Sequence, residues 1–246
     1  MLRSFLKSES SKKGGETMKT LCLMFGLLLV IGGSAMAESV TVDTYANWNL
    51  VAAPCVPFNS DPVSLFNGYD LEFTAGLFRF DAPTQGQLPY DAYATPPTAF
   101  GNILLGDGYT FYNPDADQII FDGVNDGVPG VDGMTDMWIS LPGSADPAVE
   151  GGWHCIGHPF NHDTAIDPLG DNTGSGIFFT DGTELKNWSQ ANAAQWVSDG
   201  AQYFDGATQS QPSTGYFFNE DDHFRAGHGY WLYTMKDNLA MIIPAN

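Results

Sequence analysis

The chain has 246 residues, 43% of them hydrophobic, and its formal net charge at pH 7 is −20. This length can bury one large or two small cores. So anionic a surface repels phosphate backbones and anionic lipid heads, which argues against nucleic acid as a partner and against membrane insertion of the exported chain.

The first segment predicts an export signal. Met18-Lys19-Thr20 is followed by an apolar run over 21–31 and then by GGSAMAES over 32–39. A basic start, a short apolar core and a small-x-small site are typical of a secretory signal peptide, and the run is too short to span a bilayer comfortably. We expect residues 1–37 to be an N-terminal extension and signal peptide, cleaved after Ala37, and the protein to be secreted or held at the cell surface.

Short aromatic and β-branched segments, separated by Gly, Pro, Asn and Asp, predict β-strands. In chain order they cover 39–45, 76–80, 109–113, 117–121, 137–141, 176–180, 230–234 and 240–244. One helix is predicted, capped by Ser189 and running through Val197. This pattern favours a mainly β fold of sandwich or barrel type.

Four sequence matches recur in the same order and predict an internal duplication. WNLVAAPCVPFNSD (48–61) aligns with WHCIGHPFNHD (153–163), FDAPTQGQ (80–87) with FDGATQSQ (204–211), GDGYTFY (106–112) with GHGYWLY (227–233), and ISLPG (139–143) with MIIPA (241–245).

We therefore predict two tandem divergent β-repeats, 38–146 and 147–246, tightly associated and related by a pseudo-twofold axis. The first copy carries an acidic loop insertion and the second a short helical insertion. The structural anchors of the repeat are Trp48, Pro54, Tyr109, Trp153, Pro159 and Tyr230. We expect their tryptophans and tyrosines to lie in the core.

The paired signature WNLVAAP (48–54) and GHGYWLYTMKDNLAMIIP (227–244) resembles a repeat of secreted bacterial and archaeal surface proteins. That repeat reads roughly Trp-Asn-Leu-x-x-x-Pro, then Gly-x-Gly-Tyr-Trp, then an apolar strand ending in Pro. The segment 181–206 also resembles its middle section. The resemblance implies an exported β-module without catalytic residues. The first copy departs from it, since it has Thr110 where the second has Trp231 and lacks the helical middle section.

Two cysteines follow the predicted signal peptide, Cys55 and Cys155. In an exported protein such a pair favours a disulfide, and closing a loop of about 100 residues would stabilise the fold by roughly 4 kcal/mol. Two free, buried thiols are the alternative. A reactive Cys155–His158 pair is disfavoured, because reactive cysteines need an electropositive setting.

Three histidines, His154, His158 and His162, have residue types and spacing that could serve a transition metal. The first copy has Asn49, Ala53 and Ser60 at the equivalent positions, so the scaffold does not require histidine there. This permits either an acquired metal site or drift at exposed positions.

An acidic, glycine-rich stretch, 122–136, offers hard oxygen ligands for calcium. The candidate ligands are Asp122, Asn125, Asp126, Asp132 and Asp136. The spacing does not fit an EF-hand, and solvated Asp-Gly turns are the alternative interpretation. Calcium is the only cofactor that the sequence suggests.

No coherent catalytic set is present, so we expect no enzymatic activity. The leading hypothesis is a structural subunit of a filament, tube or layer outside the cell, built from copies of the chain or with other surface components, with calcium as a candidate stabilising ion. In it, strand 39–45 pairs with the open edge of a neighbour. The alternatives are a secreted glycan- or peptide-binding module and a metal-dependent hydrolase that uses His154, His158 and His162.

Overall fold

A computed structural model describes residues 37–66, 69, 71, 76–91, 100–124, 135–216 and 222–245. These residues form small antiparallel β-sheets arranged like a four-bladed propeller, which confirms the mainly β fold class. In the part of the chain so described, no helix has the length and apolar character needed to cross a bilayer.

The described residues contain seventeen strands and two short helices. In chain order they are β1 (Ala37–Thr44), β2 (Asn47–Ala52), β3 (Val56–Pro57), α1 (Pro62–Leu65), β4 (Gly76–Asp81), β5 (Gly86–Pro89), β6 (Gly108–Asn113), β7 (Asp117–Val124), β8 (Met137–Leu141), β9 (Gly152–Gly157), β10 (Thr164–Ala165), β11 (Phe178–Thr180), β12 (Leu185–Asn187), α2 (Trp188–Ala193), β13 (Val197–Gln202), β14 (Ser213–Gly215), β15 (His223–Phe224), β16 (Gly229–Thr234) and β17 (Leu239–Ile243).

The described chain has two separate hydrophobic cores, and the division between them falls between Phe121 and Ile139. The first core is built only from residues of 42–121 and the second only from residues of 139–243. The division lies before the predicted boundary at 146, because β8 contributes Ile139 and Leu141 to the second core. We call residues 37–124 the first module and residues 137–245 the second module.

The sheets of the two modules share part of their strand order. The first module has sheets β1-β7-β3 and β2-β6-β4-β5, and the second has β8-β17-β11-β12 and β9-β16-β13-β14, with β10 and β15 forming a separate pair. In each module the leading strand pairs antiparallel with the last one, β1 with β7 and β8 with β17. The predicted match of 139–143 with 241–245 does not hold in sheet position, because β8 is an edge strand and β17 an inner one.

The leading strand of the first module belongs to its own fold. All eight residues of β1, from Ala37 to Thr44, pair with β7 of the same chain. Strand 39–45 was expected to pair with a neighbouring chain, and this side of it is instead occupied within the molecule.

The longer helix, α2, begins two residues earlier than the sequence indicates, and it ends at Ala193 rather than at Val197, which begins β13. Its cap is Asn187 rather than Ser189, since the Asn187 side chain accepts from the backbone N–H of Gln190 at 3.0 Å. The Gln190 side chain accepts in return from the Asn187 N–H, which completes a capping box. The helix thereby presents Trp188 and Ala191 to the second core.

The modules contact each other through corresponding residues in both directions. The Ala52 N–H of β2 donates to the Gly227 carbonyl at 2.9 Å, and the Gly157 N–H of β9 donates to the Gly106 carbonyl at 2.7 Å. Two isolated antiparallel bridges repeat the exchange, joining Val51 to His228 and Ile156 to Asp107. Ala52 and Gly157 have the same place in their strands, as do the Gly106 and Gly227 turns.

Two glutamines reinforce this contact in the same reciprocal way. The Gln85 side chain accepts from the Trp153 N–H at 2.8 Å and donates to the Trp153 carbonyl at 3.1 Å. The Gln209 side chain accepts from the Trp48 N–H at 3.2 Å and donates to the Trp48 carbonyl at 3.1 Å. Each module thus holds the first tryptophan of the other by its backbone.

Candidate functional site

The three histidines do not converge on one site. His154 is 3% exposed and lies 3.2 Å, Nε2 to Oγ1, from Thr234, whereas His158 is 1% exposed and lies 2.9 Å from Thr164. His162 is stacked on Phe160. Among the described residues no three His, Cys, Asp or Glu side chains form a group that could hold a metal ion. Drift at exposed positions does not explain the two buried imidazoles either.

Burial keeps both inner histidines neutral at physiological pH. Burial lowers the pKa of His154 to about 4 and, helped by the neighbouring His162, that of His158 to about 3. Thr234 and Thr164 provide each ring with a hydrogen-bond partner. These imidazoles therefore act as packed polar core residues of the second module.

No disulfide joins the two described cysteines, so the expected Cys55–Cys155 disulfide is not formed in this structure. They lie in different modules: Cys55 is buried in the first core, with Sγ 3.8 Å from the Phe121 carbonyl oxygen, whereas Cys155 lies on the outer side of β9. The alternative of two thiols holds, although Cys155 is only half-buried.

Cys155 lines a cleft of about 290 Å³ between the modules, together with His154 and an ion pair. The pair joins Arg79 Nη2 to Asp107 Oδ2 at 2.9 Å, and Arg79 Nη1 also donates to the Phe100 carbonyl. Burial and the Asp107 carboxylate raise the pKa of the Cys155 thiol well above its ordinary value. This cleft therefore holds a protonated thiol, which is a poor nucleophile.

The acidic stretch lies mostly outside the described residues. Asn125, Asp126 and Asp132 belong to the part that the structure does not describe. Asp122 is exposed on β7, and Asp136 accepts from the Ala245 N–H at 3.0 Å. Calcium binding there stays a prediction.

The predicted anchors divide into two groups. Tyr109 and Tyr230 are fully buried and accept from the Leu104 and Arg225 N–H groups at 2.8 and 2.6 Å, and both prolines, Pro54 and Pro159, are buried as well. The tryptophans were expected in the core, and this is wrong. Trp48 is 42% exposed and Trp153 is 39% exposed, each at the outer face of its sheet.

The outer face of β9, β16, β13 and β14 forms a shallow groove of about 110 Å³, which we call the aromatic groove. Its lining residues are Trp153, Ser198, Asp199, Gly200, Gln202, Ser213, Trp231 and Tyr233. Trp153 pairs with Tyr233 across the strands, and their rings meet edge to face at 5.2 Å. Aromatic rings beside a few hydroxyl, amide and carboxylate groups are the usual lining of a small-molecule site.

The first module supports this groove from behind. Gln85 fixes the backbone of Trp153, and the Phe80 ring packs edge to face on Trp231 at 4.9 Å between centroids. The first module thus fixes the backbone of Trp153 and the side chain of Trp231, which gives the groove a defined shape before any ligand binds.

The corresponding face of the first module is closed. Trp48 and Tyr112 repeat the edge-to-face pair at 5.2 Å, but Phe78 stands where the second module has Gln202. The Phe78 ring lies over Gly76, since its Cε2 atom is 3.0 Å from the place of a Cβ on that glycine. It also contacts Trp48 at 5.9 Å between centroids. In the second module Gly200 and Gln202 both line the groove.

Sequence reasoning missed most of the groove. The difference between Thr110 and Trp231 is visible in the aligned repeats, but the exchange of Phe78 for Gln202 is not, because both residues lie before the matched segments FDAPTQGQ and FDGATQSQ.

Comparison of the chain with protein-family models, with curated proteins and with solved structures finds no match. Its function is therefore inferred from the site itself.

Proposed function

We propose that this chain is an exported, non-enzymatic binding protein whose aromatic groove holds one unit of a neutral saccharide. Export is supported by the signal-peptide pattern of residues 1–37. The observation that carries the binding proposal is the aromatic groove itself, lined by Gly200 and Gln202 beside Trp153 and Tyr233, where the corresponding face of the first module has the Phe78 ring over Gly76.

The chemistry of the lining favours a sugar ring. A pyranose has a face of C–H groups that stacks on an aromatic ring and a rim of hydroxyls that need hydrogen-bond partners. Trp153, Trp231 and Tyr233 supply the aromatic surface, and Gln202 and Asp199 are exposed beside it to meet hydroxyls. The net charge of −20 disfavours an anionic ligand, so the saccharide is neutral.

The two modules are best explained as divergent copies of one unit, 37–124 and 137–245, related by a pseudo-twofold axis. Separate cores, partly matching strand order and reciprocal contacts support this organisation. In such a pair the first module is the structural half that braces the groove, and the second module is the binding half.

The test is a titration of the purified full chain with a panel of neutral oligosaccharides, followed by calorimetry. Gln202→Phe should close the groove as Phe78 closes its counterpart, and binding should weaken by roughly tenfold or more, equivalent to about 1.4 kcal/mol. The matched control is Trp48→Ala, which removes the equivalent tryptophan of the closed face and should leave affinity unchanged. Equal affinity of Gln202→Phe and the unmodified chain would refute the proposal.

A second candidate function is the assembly subunit favoured by the sequence. The observation in its favour is the reciprocal contact between the modules, because each half presents to the other the kind of surface that a second chain could use.

A further inference from the structure

We infer that the surface joining the two modules is also a binding surface for a second copy of this chain, with the first module of one chain taking the second module of another. The inference rests on the two-module organisation and on the candidate role in assembly, and it is independent of saccharide binding. It names the partner, the surface and the route of assembly.

The packing of the surface is similar in both directions and tighter at Gly227. A Cβ on Gly106 of the first module would lie 2.9 Å from Met137 Cε and 3.1 Å from Ile139 Cγ1 of the second. A Cβ on Gly227 of the second module would meet Val42 of the first, with Cγ2 as the nearest atom. Val42 and Ile139 both lie on leading strands, and each pairs with a buried residue of the last strand. Each glycine turn thus packs on the leading strand of the other module.

The polar contacts of the surface do not require the two modules to belong to one chain. They include backbone hydrogen bonds at Ala52 and Gly157, one from the Ala145 N–H to the Pro83 carbonyl, and the two glutamine clamps on Trp48 and Trp153. None of these depends on the modules sharing one chain, because among the described residues no strand of either module is inserted into a sheet of the other. The same contacts form whether the two modules come from one molecule or from two.

Each module brings its own core to the contact. The core residues of 42–121 and those of 139–243 form separate clusters, and only 125–136 joins the modules along the chain. A module can therefore exchange its partner without unfolding its sheets. Successive exchange gives closed dimers or, when each chain bridges two others, an open polymer.

The protein concentration sets whether a module pairs with the other module of its own chain or with a module of a second chain. Two modules joined by a short linker meet at an effective concentration on the order of 1 mM, so exchange competes poorly in dilute solution and strongly near that value. At about 10 µM roughly one chain in a hundred should be exchanged, and at about 1 mM roughly half. The unmodified chain should thus purify as a monomer that contains an assembly surface.

The test uses two preparations of the full chain with different affinity tags. They are unfolded together in urea, refolded at about 10 µM or about 1 mM, diluted, and captured on one tag. The captured fraction carrying the other tag should rise by roughly fifty-fold between these concentrations. A chain shortened by deletion of 126–133 should form oligomers already at about 10 µM, measured by light scattering after gel filtration.

Three variants tie capture to this surface. Gly108→Ala places a methyl group 2.6 Å from the Ile156 carbonyl oxygen of the other module and should abolish capture, whereas Gly86→Ala meets nothing closer than 3.6 Å and should not change it. Should Gly108→Ala fail to fold, the double variant Gln85→Ala with Gln209→Ala should lose its captured partner faster after dilution, because fewer hydrogen bonds hold the exchanged modules together. Capture that does not rise with concentration, or that persists undiminished in the folded surface variants, overturns the inference.

Discussion

Replacing Gly108 by alanine should loosen the contact between the modules while leaving both cores intact. Gly108 begins β6, where its backbone dihedral angles suit any residue, so the substitution introduces no backbone strain of its own. The added Cβ would lie 2.6 Å from the Ile156 carbonyl oxygen and 2.7 Å from Cys155 Sγ. Non-bonded heavy atoms prefer about 3.5 Å or more, so the modules must move apart by roughly 0.8 Å.

The expected cost follows from that displacement. Overpacking of this kind costs about 1–3 kcal/mol, and the neighbouring hydrogen bond from Gly157 to Gly106, 2.7 Å long, would be stretched beyond its useful range. Losing it adds about 1 kcal/mol, so the free energy of unfolding should fall by about 2–4 kcal/mol. For a chain of this size such a loss lowers Tm by roughly 4–16 °C.

Urea unfolding followed by tryptophan fluorescence measures the effect. Gly86→Ala is the matched control, because that strand glycine has ordinary contacts at 3.6 Å and its substitution should be neutral or stabilise by about 0.4–1 kcal/mol. Since the cores are separate, Gly108→Ala should also broaden or split the transition. Equal midpoints and slopes for the two variants would show that the modules are not in the close contact described above.

Three further outcomes are expected. Between pH 6.5 and pH 4 the second module should lose stability relative to a variant carrying His154→Asn and His158→Ala, by up to about 1.4 kcal/mol per pH unit for each histidine. The reason is that the unfolded imidazoles bind protons in this range, whereas the buried ones, with pKa values of about 4 and about 3, do not. Urea midpoints of the two proteins measure the loss, and a difference that stays constant with pH contradicts it. A non-reducing peptide digest should show the Cys55 and Cys155 peptides unlinked, whereas a linked peptide pair would mean that the disulfide forms after all. If the stretch 122–136 binds calcium, saturation at a hundred times Kd should stabilise the chain by about 2.7 kcal/mol, and Asp122→Asn should reduce this gain; an unchanged Tm in calcium excludes a site of that strength.

Most of the fold prediction depends on local sequence patterns, namely apolar alternation and turn residues. The aromatic and β-branched segments at 76–80, 109–113 and 137–141 lie within β4, β6 and β8, because alternation and turn residues are local signals. The match predicted between β8 and β17 is wrong for the same reason. Both are short, apolar and followed by proline, and only sheet pairing shows that one is an edge strand and the other an inner one.

Side-chain direction limited the prediction of the site. In β9 the alternating sets Trp153/Cys155 and His154/Ile156 each mix apolar and polar character, so the sequence does not show which set faces the core. The structure turns the histidines inward, where threonines from other strands meet them, and turns Trp153 outward. The aromatic groove then depends on residues of four strands that lie far apart in the chain.

The number of saccharide units that bind per chain tests most directly whether the aromatic groove is the binding site. Calorimetric titration should give one site in the unmodified chain and none with Gln202→Phe. A second site should appear when Phe78→Gln and Thr110→Trp give the first module the residues that the second has as Gln202 and Trp231. Unchanged stoichiometry and affinity across these three proteins would contradict the assignment of the aromatic groove as the binding site.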